Sequence, residues 1–167
     1  MAQSIRPQES QTMLSEQQRQ QFRTEGYLLV PDALADIGPQ RVRDAYEQVR
    51  AQTEAQWRDA VAADTGKGVY GQGTAAHVIP DLYQYDSLFL DLSNNPAVIP
   101  ILEAVVGLDL QLTEMIAHNH PAGTDAHIEW HRDWPPWNHP TQILKAKVFY
   151  YLDDITDDMG PFSIVPG

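Results

Sequence analysis

The spacing of apolar residues divides the chain into a helical first part and a strand-like second part. Ser15 and Gln18, three residues apart before an amphipathic run, are typical of a capping box, and Gly26 is a suitable stop. Together these signals predict a helix over Glu16–Glu25. Apolar residues then recur at helical spacing over residues 39–63, which predicts a long amphipathic helix with a polar outer face.

Shorter elements are predicted along the rest of the chain. A helical turn is expected over residues 86–92, and Asn95-Pro96 indicates a further helix that stops at Gly107. Apolar or alternating runs bounded by Pro, Gly, Asn and Asp predict strands. These runs cover residues 27–31, 108–112, 115–118, 127–133, 143–152 and 162–165.

No repeat or linker marks a second domain, so we expect a disordered tail over residues 1–13 and a single domain over residues 14–167. The glycine-rich segment 66–73 lacks the preceding strand and the Lys-Ser/Thr ending of a phosphate-binding loop. We therefore interpret it as a flexible lid or loop.

Composition narrows the function classes. The chain has 11 Lys+Arg against 23 Asp+Glu and a formal net charge of −12, which excludes a nucleic-acid-binding surface. It has no cysteine, so any metal must bind to histidine and carboxylate side chains. Neither a signal peptide nor a long apolar run is present in the sequence, and we therefore expect a cytoplasmic protein without a membrane partner.

Five of the six histidines lie in the second part of the chain, close to three of the four tryptophans. If residues 127–133 are extended, alternation places His127, Glu129, His131 and Asp133 on one face. A histidine and a carboxylate two residues apart can bind one cation. With a third ligand from elsewhere, they form the facial arrangement of non-haem Fe(II) oxygenases, which leaves coordination positions open.

The pattern alone leaves several alternatives open. The pair could be His127 with Glu129 rather than the pair two residues further on, and an isolated pair of this kind is more often a polar strand face exposed to water. His118, His120, His127 and His139 are all candidates for a third ligand by their proximity in sequence.

Four segments, in the same order along the chain, resemble the phytanoyl-CoA dioxygenase family of Fe(II)- and 2-oxoglutarate-dependent oxygenases. They are residues 14–34, residues 94–112, EWHRDW at 129–134 and LDDITDDMGPFSIVPG at 152–167. The resemblance implies an α+β, mostly β fold. Its expected core is a double-stranded β-helix of the jelly-roll or cupin type, with the N-terminal helices packed on one side.

The resemblance also implies the site. It identifies His131 and Asp133 as iron ligands and makes Fe(II), with 2-oxoglutarate and O₂ as co-substrates, the expected cofactor set. Phe149 aligns with the family's aromatic contact to the co-substrate, and alternation puts Lys147 on the same face. Trp134 is a candidate to face the substrate, although aromatics beside prolines more often pack a loop against a barrel.

The sequence departs from the family after Val-Pro-Gly at 165–167. In the family, later strands supply a second iron-binding histidine and an arginine for 2-oxoglutarate, and these have no counterpart here. A jelly roll needs about eight strands, and only about five are predicted after Gly107. We therefore expect an incomplete barrel in a chain truncated at its C-terminal side.

The expected function is hydroxylation of an unactivated C–H bond in a small organic molecule by a 2-oxoglutarate-dependent dioxygenase. A catalytically silent fragment of such an enzyme and a cupin-like module that binds a small molecule without redox chemistry remain alternatives. The sequence predicts neither the substrate nor the oligomeric state.

Overall fold

The computed structural model describes residues 14–63, 76–122, 130–131, 133 and 142–167. Its helices are α1 (Glu16–Glu25), α2 (Pro39–Ala62), α3 (Leu88–Ser93) and α4 (Ile99–Val105), and its strands are β1 (His77–Pro80) and β2 (Ile116–Asn119). Two 3₁₀ turns cover Leu82–Gln84 and Asp157–Met159. The disordered tail expected over residues 1–13 and the lid expected over residues 66–73 lie outside the described residues.

The capping signals at the start of α1 are confirmed. The Ser15 hydroxyl accepts a hydrogen bond from the backbone N–H of Gln18, whose side chain accepts one from the backbone N–H of Ser15. At the other end Gly26 has φ of 82°, a left-handed conformation that glycine adopts without a steric penalty. Local chemistry alone therefore defines both ends of this helix.

The apolar stripe of α2 forms one wall of the core. Val42, Ala45 and Val49 are buried, while Val61 in the last turn is 37% exposed. The predicted helix is thus confirmed, but its last residues, 58–62, are exposed. The core cluster comprises Val42, Ala45, Val49, Ile79, Leu82, Leu88, Phe89 and Leu92.

A two-stranded antiparallel sheet packs beside α2. His77 pairs with Asn119 and Ile79 with Ala117. His77 and Ile79 are buried, whereas the alternate positions of β1 are only partly buried. The opposite face of β2 carries His118. The expected strand over 115–118 is confirmed as β2, whereas β1 was not predicted.

Other strand predictions are wrong within the described residues. Residues 27–30 are irregular and 31–37 form turns, with Leu29 81% exposed. Residues 108–112, 143–152 and 162–165 belong to no sheet. A strand is stabilised by backbone hydrogen bonds to a neighbouring strand, and the described residues place none beside these runs.

The expected double-stranded β-helix is therefore not seen as a closed barrel. The sheet in the described part of the chain has two strands, and helices account for most of its regular structure. The same part of the chain contains no helix that is both long enough and apolar enough to cross a membrane.

Asn95 is a buried polar residue that joins three parts of the fold. Its side-chain amide donates to the carbonyl of Ala33 at 2.7 Å and to the hydroxyl of Tyr150 at 3.2 Å. Its side-chain oxygen accepts from the backbone N–H of Ala97 at 2.9 Å. Because the side chain is only 1% exposed, water cannot replace these bonds.

Replacing Asn95 with alanine should lower the free energy of unfolding by about 2 to 4 kcal/mol, because several buried polar groups would lose their partners. The neighbouring exposed Asn94 is a matched control, and Asn94→Ala should cost within about 0.5 kcal/mol. Urea unfolding of both variants measures the difference. Equal stability of the two variants would contradict the role given to Asn95.

His77, the first residue of β1, is a buried histidine held against α2. Its Nε2 lies 2.9 Å from Thr53 Oγ1, and its ring stacks on Trp57 with centroids 5.0 Å apart. Burial lowers the pKa of His77 below its usual value near 6.5, and the charge of Arg50 acts in the same direction, while Glu54 opposes them in part.

This lowered pKa predicts a stability that depends on pH. Above about pH 6.5 the ring is neutral in both the folded and the unfolded chain, so the contribution of buried, neutral His77 to the free energy of unfolding is fully present there. As the pH falls below that value, the unfolded chain binds a proton that the folded chain resists, and stability is lost. The free energy of unfolding should therefore decrease between pH 7.5 and 5.5, and less steeply in His77→Gln. Identical slopes for the two proteins would show that His77 does not contribute.

Candidate metal centre

Residues 143–152 contribute Lys147 and Phe149 to the candidate site and contact the core through other side chains. The side chains of Tyr150 and Leu152 pack against the core cluster, while Lys147, Phe149 and Tyr151 on the alternate positions are exposed. Exposed and less exposed positions alternate over residues 149–152, but not over the whole predicted strand, because Leu144 and Val148 are exposed as well. The segment belongs to no described sheet.

Two tethers hold the end of this segment against the helices. The Tyr150 hydroxyl accepts from Asn95, and the guanidinium of Arg43 in α2 donates to the Asp153 carboxylate and to the carbonyl of Leu152. The exposed face of the segment therefore has a fixed position relative to α2.

Three of the residues singled out from the sequence meet in space. Nε2 of His131 lies 3.1 Å from Oδ1 of Asp133, and Nζ of Lys147 lies 2.9 Å from Oδ2 of the same carboxylate. Each carboxylate oxygen thus has its own partner. The structure brings a residue assigned to the co-substrate into contact with a residue assigned to the metal.

The charges around Asp133 favour its ionised form. Partial desolvation acts to raise the pKa of its carboxyl group, but the hydrogen bonds and charges of Lys147 and His131 outweigh this effect. The pKa therefore lies below its usual range, and the group is a carboxylate at neutral pH. An ionised carboxylate is the form that binds a metal ion.

The donor pair fits a divalent first-row metal. Two ligands that each lie about 2.1 Å from one cation, at right angles, are about 3 Å apart from each other. Nε2 of His131 and Oδ1 of Asp133, which here form a hydrogen bond, lie 3.1 Å apart, close to that separation. One imidazole and one carboxylate are also the donor types that non-haem iron prefers.

The described residues do not supply a complete ligand set. They contain no group of three or more His, Asp or Glu side chains that converge on one point. His118 and His120, which the sequence singled out as third-ligand candidates, lie with their ring centroids 6.5 Å apart at the end of β2. Because no group of three such side chains is found among the described residues, His118 and His120 do not join the pair formed by His131 and Asp133.

His118 nevertheless belongs to the electrostatic surroundings of the site. Restricted hydration of its ring, together with the positive charges of His120 and Lys147, lowers the pKa of His118, and Glu114 opposes this in part. Glu114 itself accepts a hydrogen bond from Lys145 Nζ at 2.8 Å. The ionisable side chains of Glu114, His120 and Lys147 thus lie close enough to His118 for their charges to interact with it.

Phe149 contacts another aromatic residue that the sequence analysis did not assign to the site. Its ring centroid lies 4.7 Å from that of Phe162, with the two planes tilted by 36°. Phe149 is 51% exposed, so it is not a core residue of the described structure. The apolar run at 162–165 was the only sequence signal for this contact.

Not every residue singled out from the sequence is among the described residues. Trp134, the candidate for substrate contact, lies outside the described residues, as do His127, Glu129 and His139. Trp130, which precedes the first ligand, is described and is 72% exposed.

Comparison with known proteins adds a family match. A sequence model of the family described as Phytanoyl-CoA dioxygenase (PhyH) matches residues 22–167, a range that includes the whole candidate site. L-proline trans-4-hydroxylase from Streptomyces griseoviridis is 23% identical to this chain over 146 residues, which are 86% of this chain and 51% of the relative. The chain thus spans about half the length of the curated relative it matches. No solved structure matches the chain significantly.

Proposed function

Because this chain belongs to the phytanoyl-CoA dioxygenase family, we propose that it is an Fe(II)- and 2-oxoglutarate-dependent dioxygenase that hydroxylates an unactivated C–H bond of a small organic substrate. The observation that carries the proposal is the separation of 3.1 Å between His131 Nε2 and Asp133 Oδ1. The relative from Streptomyces griseoviridis is named as a hydroxylase, which supports hydroxylation rather than another oxidation.

We propose that His131 and Asp133 are iron ligands. When bound, the iron would supply the oxidative chemistry, in which O₂ and 2-oxoglutarate give succinate, CO₂ and a hydroxylated substrate. The protein contributes one imidazole and one carboxylate, and these two donors leave coordination positions open for the co-substrates. In addition, the negative charge of Asp133 favours binding of a divalent cation.

We propose that Lys147 and Phe149 border the co-substrate. A lysine ammonium has three N–H donors, and the bond from Lys147 to Asp133 uses one of them. The others can reach a carboxylate of 2-oxoglutarate, whose carbon chain would contact the exposed ring of Phe149. Trp134 remains our candidate for the side of the site that faces the substrate.

Succinate formation tests this function. The purified chain is incubated in air with Fe(II) and 2-oxoglutarate, with parallel reactions that omit one of the two, and succinate is quantified. The proposal predicts succinate only when both are present. If the chain forms no succinate, whether it binds Fe(II) weakly or not at all, the catalytically silent alternative is supported. If a small molecule binds without metal and binds equally well to His131→Ala, the cupin-like module is supported.

A further inference from the structure

Lysine is rare in this chain, and two of its three lysines lie at alternate positions of one segment. Lys145 Nζ donates to Oε1 of Glu114 at 2.8 Å, which ties the segment to the residues before β2. Lys147 Nζ lies 2.9 Å from Oδ2 of Asp133. One segment therefore makes two similar ion pairs, of which one involves a proposed metal ligand.

The backbone that carries Lys147 is held from two directions. On one side Lys145 pairs with Glu114, and on the other side Tyr150 accepts a hydrogen bond from the buried Asn95. A lysine side chain on a mobile segment would lose much of its attraction to side-chain entropy. A fixed backbone reduces that loss, so the ion pair with Asp133 can hold one geometry.

The two oxygens of a carboxylate exchange places when the group rotates, so a ligand carboxylate needs a second contact to keep one oxygen towards the metal. In this structure Lys147 occupies Oδ2, and Oδ1 is left 3.1 Å from Nε2 of His131. Binding through Oδ1 alone also keeps a further coordination position open, whereas binding through both oxygens would fill it.

We propose that Lys147 is a positioning residue for the metal centre, which holds Oδ2 of Asp133 so that Oδ1 and His131 Nε2 form the metal-binding pair. This inference rests on the proposed function, and it is a role beyond any contact of Lys147 with the co-substrate. Residues that hydrogen-bond to metal ligands typically contribute about 10- to 100-fold to metal affinity.

The test measures binding of Co(II), which replaces Fe(II) without air oxidation and binds such donors more tightly. The purified chain and its variants are titrated with Co(II), and the dissociation constant and visible absorption spectrum are recorded. Lys147→Met, which keeps the length of the side chain and removes the ammonium, should weaken binding by about 10-fold or more and alter the spectrum. Lys147→Arg should restore most of the affinity.

Lys145→Met is the matched control, because it breaks the neighbouring ion pair to Glu114 and leaves Asp133 untouched. It should weaken Co(II) binding much less than Lys147→Met does, because it loosens the segment but leaves the Lys147 ammonium beside Asp133. Urea unfolding of each variant separates a loss of affinity from a loss of folding. If Lys147→Met does not fold, the affinity of Lys147→Arg relative to the unchanged chain decides whether Lys147 positions Asp133.

Three results would overturn the role of Lys147 without affecting the proposed function. The first is unchanged or tighter Co(II) binding by Lys147→Met, and the second is an equal loss of affinity in Lys145→Met. The third, if Lys147→Met does not fold, is a failure of Lys147→Arg to retain affinity. If Co(II) binding by the unchanged chain does not depend on Asp133, as shown by Asp133→Ala, the proposed function fails together with this inference.

Discussion

Alanine in place of Asp133 should reduce Fe(II)-dependent succinate formation by more than about 100-fold, which exceeds the usual effect of removing a residue that only contacts a ligand. The reason is that, among the described residues, Asp133 supplies the charged donor beside His131, with 3.1 Å between Oδ1 and Nε2. His131→Ala should have an effect of the same size, because it removes the other donor of the pair. Succinate is measured at saturating Fe(II) and 2-oxoglutarate.

Asp154→Ala is the control for this experiment, since Asp154 is an exposed aspartate outside the candidate metal centre. Its succinate formation should equal that of the unchanged chain. If Asp133→Ala forms succinate at the rate of Asp154→Ala, Asp133 is not a metal ligand in this protein.

Phe89→Ala should have the largest effect on stability. The Phe89 side chain of α3 is 1% exposed and lies in the core cluster with Val42 and Val49 of α2. Removal of a buried phenyl ring costs about 3 to 5 kcal/mol, from lost burial and from the cavity that remains. Urea unfolding measures this loss, which is a large part of the stability of a domain of this size.

Leu90 follows Phe89 on the same helix and is 44% exposed. Leu90→Ala is therefore a matched control for the loss of an apolar side chain from α3, and its cost should be under about 1 kcal/mol. Equal losses in the two variants would mean that α3 does not pack as described.

Local signals made the helices predictable. The ends of α1 follow from hydrogen bonds between residues three or four positions apart, such as the pair of Ser15 and Gln18. The apolar spacing of α2 likewise identifies its buried face without knowledge of the partner. Both features depend on neighbours in sequence, which is why inspection of the sequence finds them.

Strand pairing was less predictable because it depends on distant residues. β1 is four residues long, includes Pro80, and pairs with β2 across two helices, so its own pattern does not distinguish it from a loop. Conversely, residues 143–152 have a strand-like pattern, but the described residues offer them no neighbouring strand, and only residues 149–152 alternate between exposed and less exposed positions.

In the candidate site, too, features that depend on neighbours in sequence were predictable, and contacts between distant segments were not. Alternation predicted that His131 and Asp133 share a side, and their side chains do meet. The same reasoning put Lys147 on the face of Phe149 but could not show its contact with Asp133, since that contact depends on how two segments pack. Nor did any sequence signal indicate that Asn95 would tether the segment through Tyr150.

Anaerobic binding of Fe(II), measured by equilibrium dialysis, tests directly whether His131 and Asp133 form the metal-binding pair. We expect stoichiometric Fe(II) in the unchanged chain and none above background in the His131→Ala/Asp133→Ala double variant. Equal Fe(II) in the two proteins, or none in the unchanged chain, would contradict the assignment of His131 and Asp133 as the metal-binding pair.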